Sequence, residues 1–176
     1  MKKIIADSTT LILLTKCSLL EILCCFFKII APESVLEETA SEGLIKSYPD
    51  AAKIHDLYSR GLLNVGHSCD YKLNIPISLH RGEKDALILA LNSDNALFAT
   101  DDGKAIKAAR FLNVPFIITP RIVVDLYKLN KISLNKARYS IEKLGQIGRY
   151  SPEIIAESIL SLTEARNGKT NNNQNT

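Results

Sequence analysis

The apolar positions of this chain fall into short runs separated by longer amphipathic stretches. Ile4-Ile5-Ala6 is one such run, closed by Asp7, the pattern of a short strand buried on both faces. Comparable runs over 27–31, 62–65, 96–100 and 115–119 predict further strands, the first stopped by Pro32 and the third ending on Asp101-Asp102-Gly103. Helical spacing fills the gaps. It predicts helices over 8–14 (capped by Ser8 or Thr9), 19–25 (capped by Ser18), 32–39 (opened by Pro32) and 44–60, broken at Tyr48-Pro49. Later helices are predicted over 82–92, 104–112, 120–129, 134–147 and 151–166. The helix at 82–92 is apolar on nearly every side from Ala86 to Leu91, so it should be deeply buried. Residues 68–78 read as irregular, and the Asn-rich stretch 167–176 as a disordered polar tail.

Strands that alternate with helices specify an α/β fold: a central parallel sheet of four to five strands between two helical layers. The expected organisation is one domain over 1–150, a C-terminal helix over 151–166 and the tail.

Composition narrows the function classes. A hydrophobic fraction of 46% and a charged fraction of 23% are ordinary for a globular protein. The net charge of +3 is compatible with a nucleic-acid partner without demanding one. Cys17, Cys24, Cys25 and Cys69 form no C-x-x-C pair, which leaves no zinc site and points to free thiols in a reducing cytosol. The greasy stretch 10–31 carries Lys16, Glu21 and Lys28, which argues against a membrane span. Asp7 comes too early for a signal-peptide core, so a cytoplasmic protein is expected.

The candidate chemistry is acidic. In open α/β sheets the working site lies at the carboxyl ends of the strands, and two predicted strands end there on acids, Asp7 and the pair Asp101/Asp102. Glu38 and Asp85 sit near the starts of two helices, with Glu83 close by. Each acid taken alone has a structural explanation as a turn residue, an N-cap, a solvated face or a complement to the helix dipole. Asp85 resists that explanation most, because a deeply apolar helix follows it. Taken together, several carboxylates converging at one sheet edge would need a cation among them. Oxygen ligands without His or Cys select Mg²⁺ or Mn²⁺, ions that serve phosphoryl chemistry. His55, His67 and His80 are scattered without ligand spacing. A haloacid-dehalogenase phosphatase would need Asp-x-Asp after the first strand, where Ser8-Thr9 follows Asp7. No glycine-rich phosphate-binding motif follows any strand, which removes a nucleotide-binding reading.

Four segments resemble the PIN-domain family, and within it the VapC-like proteins. They are Ile4-Ile5-Ala6-Asp7-Ser8-Thr9, Pro32-Glu33-Ser34-Val35-Leu36-Glu37-Glu38, Gly82-Glu83-Lys84-Asp85-Ala86 and Leu97-Phe98-Ala99-Thr100-Asp101-Asp102. Their order and separations are family-like from Lys3 to about Ser133, and the sequence departs after Pro115, where glycines are often found. The resemblance implies a PIN-like three-layer fold and a metal-dependent ribonuclease leaving 5′ phosphates and 3′ hydroxyls. Its four-acid site would fall on Asp7, Glu38, Asp85 and Asp101/Asp102, with Asp7, Asp85 and the Asp pair holding metal. Between Glu83 and Asp85 the register of the apolar run favours Asp85, and Asp101 is the strand-end member of its pair. Ser8 and Thr9 stand where a hydroxyl could support the metal's waters, or equally cap a helix.

Lys104, Lys107 and Arg110 recur every three residues after the acidic pair, and with Arg81 and Arg121 they are candidates for phosphate contacts of an RNA substrate. The resemblance further implies a cognate antitoxin protein, and a homodimer is the third expected partner. The apolar helices over 11–27 are a candidate interface, or equally core.

Overall fold

The computed structural model describes residues 3–67 and 74–172, with side chains through Asn167. Residues 68–73, part of the expected irregular segment and including Cys69, and residues 173–176 lie outside the described residues. The chain divides into two compact units, Met1–Ile118 and Thr119–Thr176.

The first unit carries the sheet: β1 (Lys3–Ala6), β2 (Lys28–Pro32), β3 (Leu63–Gly66), β4 (Ala96–Ala99) and β5 (Phe116–Ile117). All pairings are parallel, in the order β3-β2-β1-β4-β5. Between the strands run α1 (Ser8–Lys16), α2 (Leu20–Phe26), α3 (Glu33–Ala40), α4 (Glu42–Ser47), α5 (Pro49–Ser59), α6 (Arg81–Leu91) and α7 (Gly103–Phe111). Connections from β1 through β3 step one way along the sheet, and those from β3 through β5 step the other. Right-handed crossovers then place the two sets of helices on opposite faces. The side chains agree with this topology. Ile5 and its neighbour Phe98 pack with Ala86, Leu87 and Ala90 of α6 and Ala105, Ala108 and Ala109 of α7. Ile4 and Ile29, also paired and both buried, point to the other face. Helix α6 is buried at Ala86, Leu87, Ile88 and Ala90, as its all-round apolar pattern requires.

Local signals account for the differences from the sequence expectation. Asp7 rather than Ser8 or Thr9 caps α1, because its carboxylate accepts from the Thr10 N–H at 2.8 Å. Ser18 does not cap α2; it takes a left-handed conformation (φ 53°) that turns the chain between the two helices. Strand β5 keeps only two residues, since Thr119 and Pro120 already belong to the next helix. The leucines of α1, α2 and the turn between them fill the unit's own core at Leu11, Leu14, Leu19, Leu20 and Leu23, so the apolar surface that suggested an interface is largely internal. These two helices together have the length and hydropathy of a membrane span, but they are bent by 109° at their junction. No single helix among the described residues is long and apolar enough to cross a membrane.

The second unit consists of α8 (Thr119–Lys128), α9 (Leu134–Ile147) and α10 (Pro152–Asn172), which pack on one another. Helix α9 has the bounds its periodicity predicts, with Ser133 accepting from the Lys136 N–H as its cap. Helix α10 continues past Arg166 to Asn172, into the stretch expected to be disordered.

Candidate active site

β1 has β2 on one side and β4 on the other, so the direction of winding reverses between β1 and β4. In open parallel sheets ligands bind at such a reversal, beyond the carboxyl ends of the two strands. The backbone carries the pairing one step further, since the Asp7 N–H donates to the Ala99 carbonyl at 3.1 Å. That step sets Asp7 beside the segment Thr100-Asp101.

Asp7 is only 1% exposed, and both of its oxygens are engaged. Oδ1 accepts from the Thr10 N–H, and Oδ2 accepts from the Thr100 hydroxyl. The Thr10 hydroxyl in turn donates to Asp101 Oδ2 at 3.2 Å, so Thr10 ties the two acids together. Burial pushes the Asp7 carboxyl up to about 7, with repulsion from Asp101 adding to it, against the opposing pull of the Thr100 and Thr10 hydrogen bonds. Among the described residues, it forms no ion pair.

Glu38 and Asp85 are held by a second group of bonds. Ser34 and Glu38 lie four apart on α3, and Gly82 and Asp85 lie three apart at the start of α6, so each pair shares a helix face. The Ser34 hydroxyl donates to Asp85 Oδ2 at 2.6 Å, and the Gly82 N–H donates to Glu38 Oε1 at 3.0 Å. The Ser8 hydroxyl donates to the other Glu38 oxygen, which joins this group to the residue after Asp7. Gly82 is required for the approach: a Cβ there would lie 2.5 Å from Glu38 Oε2 and 2.8 Å from Oε1. Because the obstructed atoms are the tip of a flexible side chain, Gly82→Ala should change stability by less than about 1 kcal/mol, helped by alanine's helix propensity. It should displace Glu38 and lower any activity that depends on it about tenfold or more. Paired melting curves and turnover rates would check the split.

The members of the two acid pairs have different hydrogen-bond partners. Glu83 accepts from the His80 N–H at 3.0 Å, reaching back over the start of its own helix, whereas Asp85 bonds across to α3. Asp102 caps α7 by accepting from the Lys104 and Ala105 N–H groups at 2.7 and 2.9 Å, whereas Asp101 bonds to Thr10. Asp102→Ala should therefore cost about 1 kcal/mol in chemical unfolding, the usual loss for an N-cap.

Among the candidate phosphate contacts, Lys104 and Lys107 are exposed on α7 and form no ion pair among the described residues. Arg110 leaves their company, its guanidinium lying 5.4 Å from the centre of the Phe116 ring. Arg81 is taken up by Glu37 at 2.9 Å and lies 4.0 Å from Asp85. Arg121 belongs to the second unit and pairs with Asp125 at 3.2 Å. Thr9 is exposed and makes no side-chain hydrogen bond among the described residues. The hydroxyls that do bind the acids include three that sequence reasoning passes over: Thr10, Thr100 and Ser34. The one available signal is that each stands within a few residues of an acid in or beside the four family-like segments.

A PIN-domain family model matches residues 3–165. This chain belongs to the PIN-domain family. PIN domains are in general nucleases, hydrolases that typically use divalent metals. No curated protein and no solved structure matches the chain. In this PIN domain the donors gathered at the site are carboxylates and hydroxyls with no His or Cys, the hard oxygen set that suits Mg²⁺ or Mn²⁺. A buried acid next to a second acid, without an ion pair among the described residues, fits a site completed by a cation. Among the described residues no three His, Cys, Asp or Glu side chains form a ready-made metal cage. That is compatible with Mg²⁺ in particular, which is usually held by one or two carboxylates and keeps several waters.

Proposed function

We propose that this PIN domain is a divalent-cation-dependent endoribonuclease of the VapC-like kind, acting as the toxin of a toxin–antitoxin pair. The observation that carries the reading is the pair Asp7 and Asp101, set side by side at the winding reversal and joined through Thr10. Asp7 and Asp101 would hold the ion, and the family resemblance adds Asp85 as a further ligand. When bound, a divalent ion would neutralise phosphate charge and make a water acidic enough to attack. Thr100 and Thr10 fix the Asp7 carboxylate so that its orientation does not depend on the ion. Glu38, steadied by Ser8 and Gly82, keeps lone pairs free to hold a water near the scissile phosphate. Lys104 and Lys107 supply positive charge for the substrate backbone. An antitoxin would act by covering the site, and the support for that partner is the sequence resemblance.

The alternative is a PIN-like module that binds RNA or protein without cutting, against which the presence of the acids themselves argues. Substrate class separates the readings. A mixed RNA pool and a phosphomonoester would each be incubated with the purified protein in Mg²⁺, in Mn²⁺ and in EDTA. The expected result is RNA fragments with 5′ phosphates in metal only, with the phosphomonoester intact. Intact RNA in both metals would favour the binding module, and efficient phosphomonoester hydrolysis would favour a phosphatase.

A further inference from the structure

Helix α7 begins directly after Asp101-Asp102 and contains three cations and no acid. At 100° per residue, Lys104, Lys107 and Phe111 fall within about 60° of one another, while the buried Ala105 and Ala109 lie about 100° or more from all three and the buried Ala108 borders the stripe, about 40° from Lys104. Phe111 is 59% exposed, more than any other large apolar side chain of the first unit among the described residues. It lies about 12 Å along the helix axis from Gly103, at 1.5 Å per residue. An isolated exposed phenylalanine needs no explanation. This one ends a stripe whose two lysines make no ion pair among the described residues, and the stripe starts at the acid site. Arg110, which the sequence spacing grouped with those lysines, turns away to Phe116 and leaves the stripe as two cations and one aromatic ring.

We infer that this edge of α7 is a track for the substrate strand, on which Lys104 and Lys107 contact phosphates and a base stacks on Phe111. The occupant follows from the complementarity. A chain of regularly spaced negative charges with flat apolar faces between them matches cations followed by an exposed ring. An unpaired strand offers its base faces to such a ring, and a duplex keeps them stacked inside. Phe111 is thus a positioning residue that holds a base a few nucleotides from the acids, and the inference takes its ligand from the ribonuclease reading.

The chain contains no tryptophan, so Phe111→Trp introduces a unique fluorophore at this position. In an Asp7→Asn background, which stops cutting, binding of a 12-nucleotide RNA would be followed by the oligonucleotide's anisotropy and by indole emission together. The expected result is quenching that saturates in step with anisotropy for the single strand and is absent for the same sequence in a duplex. Phe111→Ala should raise Kd for the single strand about 5- to 150-fold, the range for losing one stacked base, and Phe111→Trp should restore it. Lys104→Ala with Lys107→Ala should weaken binding and flatten its dependence on salt. Anisotropy that saturates with no change in emission, or an unaltered Kd in Phe111→Ala, would overturn the track while leaving the nuclease reading intact. Emission that responds only to an acidic peptide would reassign the stripe to a protein partner. Failure of every RNA to bind would reject the ribonuclease reading itself.

Discussion

Asp7→Asn will remove metal-dependent RNA cleavage while leaving the protein folded. The expected loss is about 10³-fold or more, the scale seen when one member of a catalytic group that acts as a unit is removed. The substitution is close to isosteric, and the surroundings can accommodate the amide. Its oxygen can still accept from the Thr10 N–H, and the Thr100 hydroxyl can turn to accept from the amide nitrogen. Only the negative charge is lost, together with the ability to hold a cation between this group and Asp101. Cleavage rates under single-turnover conditions, with circular dichroism as a check on folding, would measure the effect. Activity within tenfold of wild type would exclude Asp7 from the site.

The metal-free protein will lose stability as the pH rises from about 4 to about 7, and Asp7→Asn will not. The Asp7 carboxyl is raised from 3.8 to about 7, chiefly by burial. Between those values the folded chain keeps a proton that the unfolded chain has released, so stability falls with rising pH. The contribution is complete below about 4 and gone above about 7, and its size is on the order of 4 kcal/mol from the linkage relation. Other groups titrate over the same range, so the informative quantity is the difference between the two proteins. Urea midpoints in EDTA at pH 5 and pH 8 should show Asp7→Asn gaining on wild type as the pH rises. A difference that stays constant would mean that Asp7 is not buried as a reluctant anion. Adding Mn²⁺ at pH 8 should return stability to wild type alone, by about 2.7 kcal/mol at a hundred times Kd.

Much of the fold can be read from the sequence because its signals are local. Ile4-Ile5-Ala6 and Leu97-Phe98-Ala99 are short apolar runs, each closed by an acid or a turn, that read as buried strands, and the periodicity of α9 sets both its ends. The acids are legible as strand-end and helix-start residues for the same reason. Their partners are not. The hydroxyls of Thr10, Thr100 and Ser34 meet carboxylates 91, 93 and 51 residues away, and no spacing along the chain encodes such a contact. The same limit explains Arg110, whose position on the helix matches Lys104 and Lys107 until β5 places an aromatic ring beside it. Ser8 and Thr9 are good caps by type, which makes the start of α1 misleading in the sequence. The extended backbone at Asp7, with ψ 175°, makes the acid itself the cap. The asymmetry between Asp101 and Asp102 likewise rests on backbone direction: one carboxylate turns to Thr10 and the other folds over the first turn of α7.

The proposed cation site rests on Asp7 and Asp101, while Asp102 is engaged as the cap of α7. Calorimetric titration of Mn²⁺ into metal-free protein at pH 8 tests it without any assumption about substrate. Saturable binding to wild type that persists in Asp102→Asn, which keeps a good N-cap, and is lost in Asp7→Asn and in Asp101→Asn is the predicted result. Equal binding by all four proteins, or none by wild type, would contradict the account.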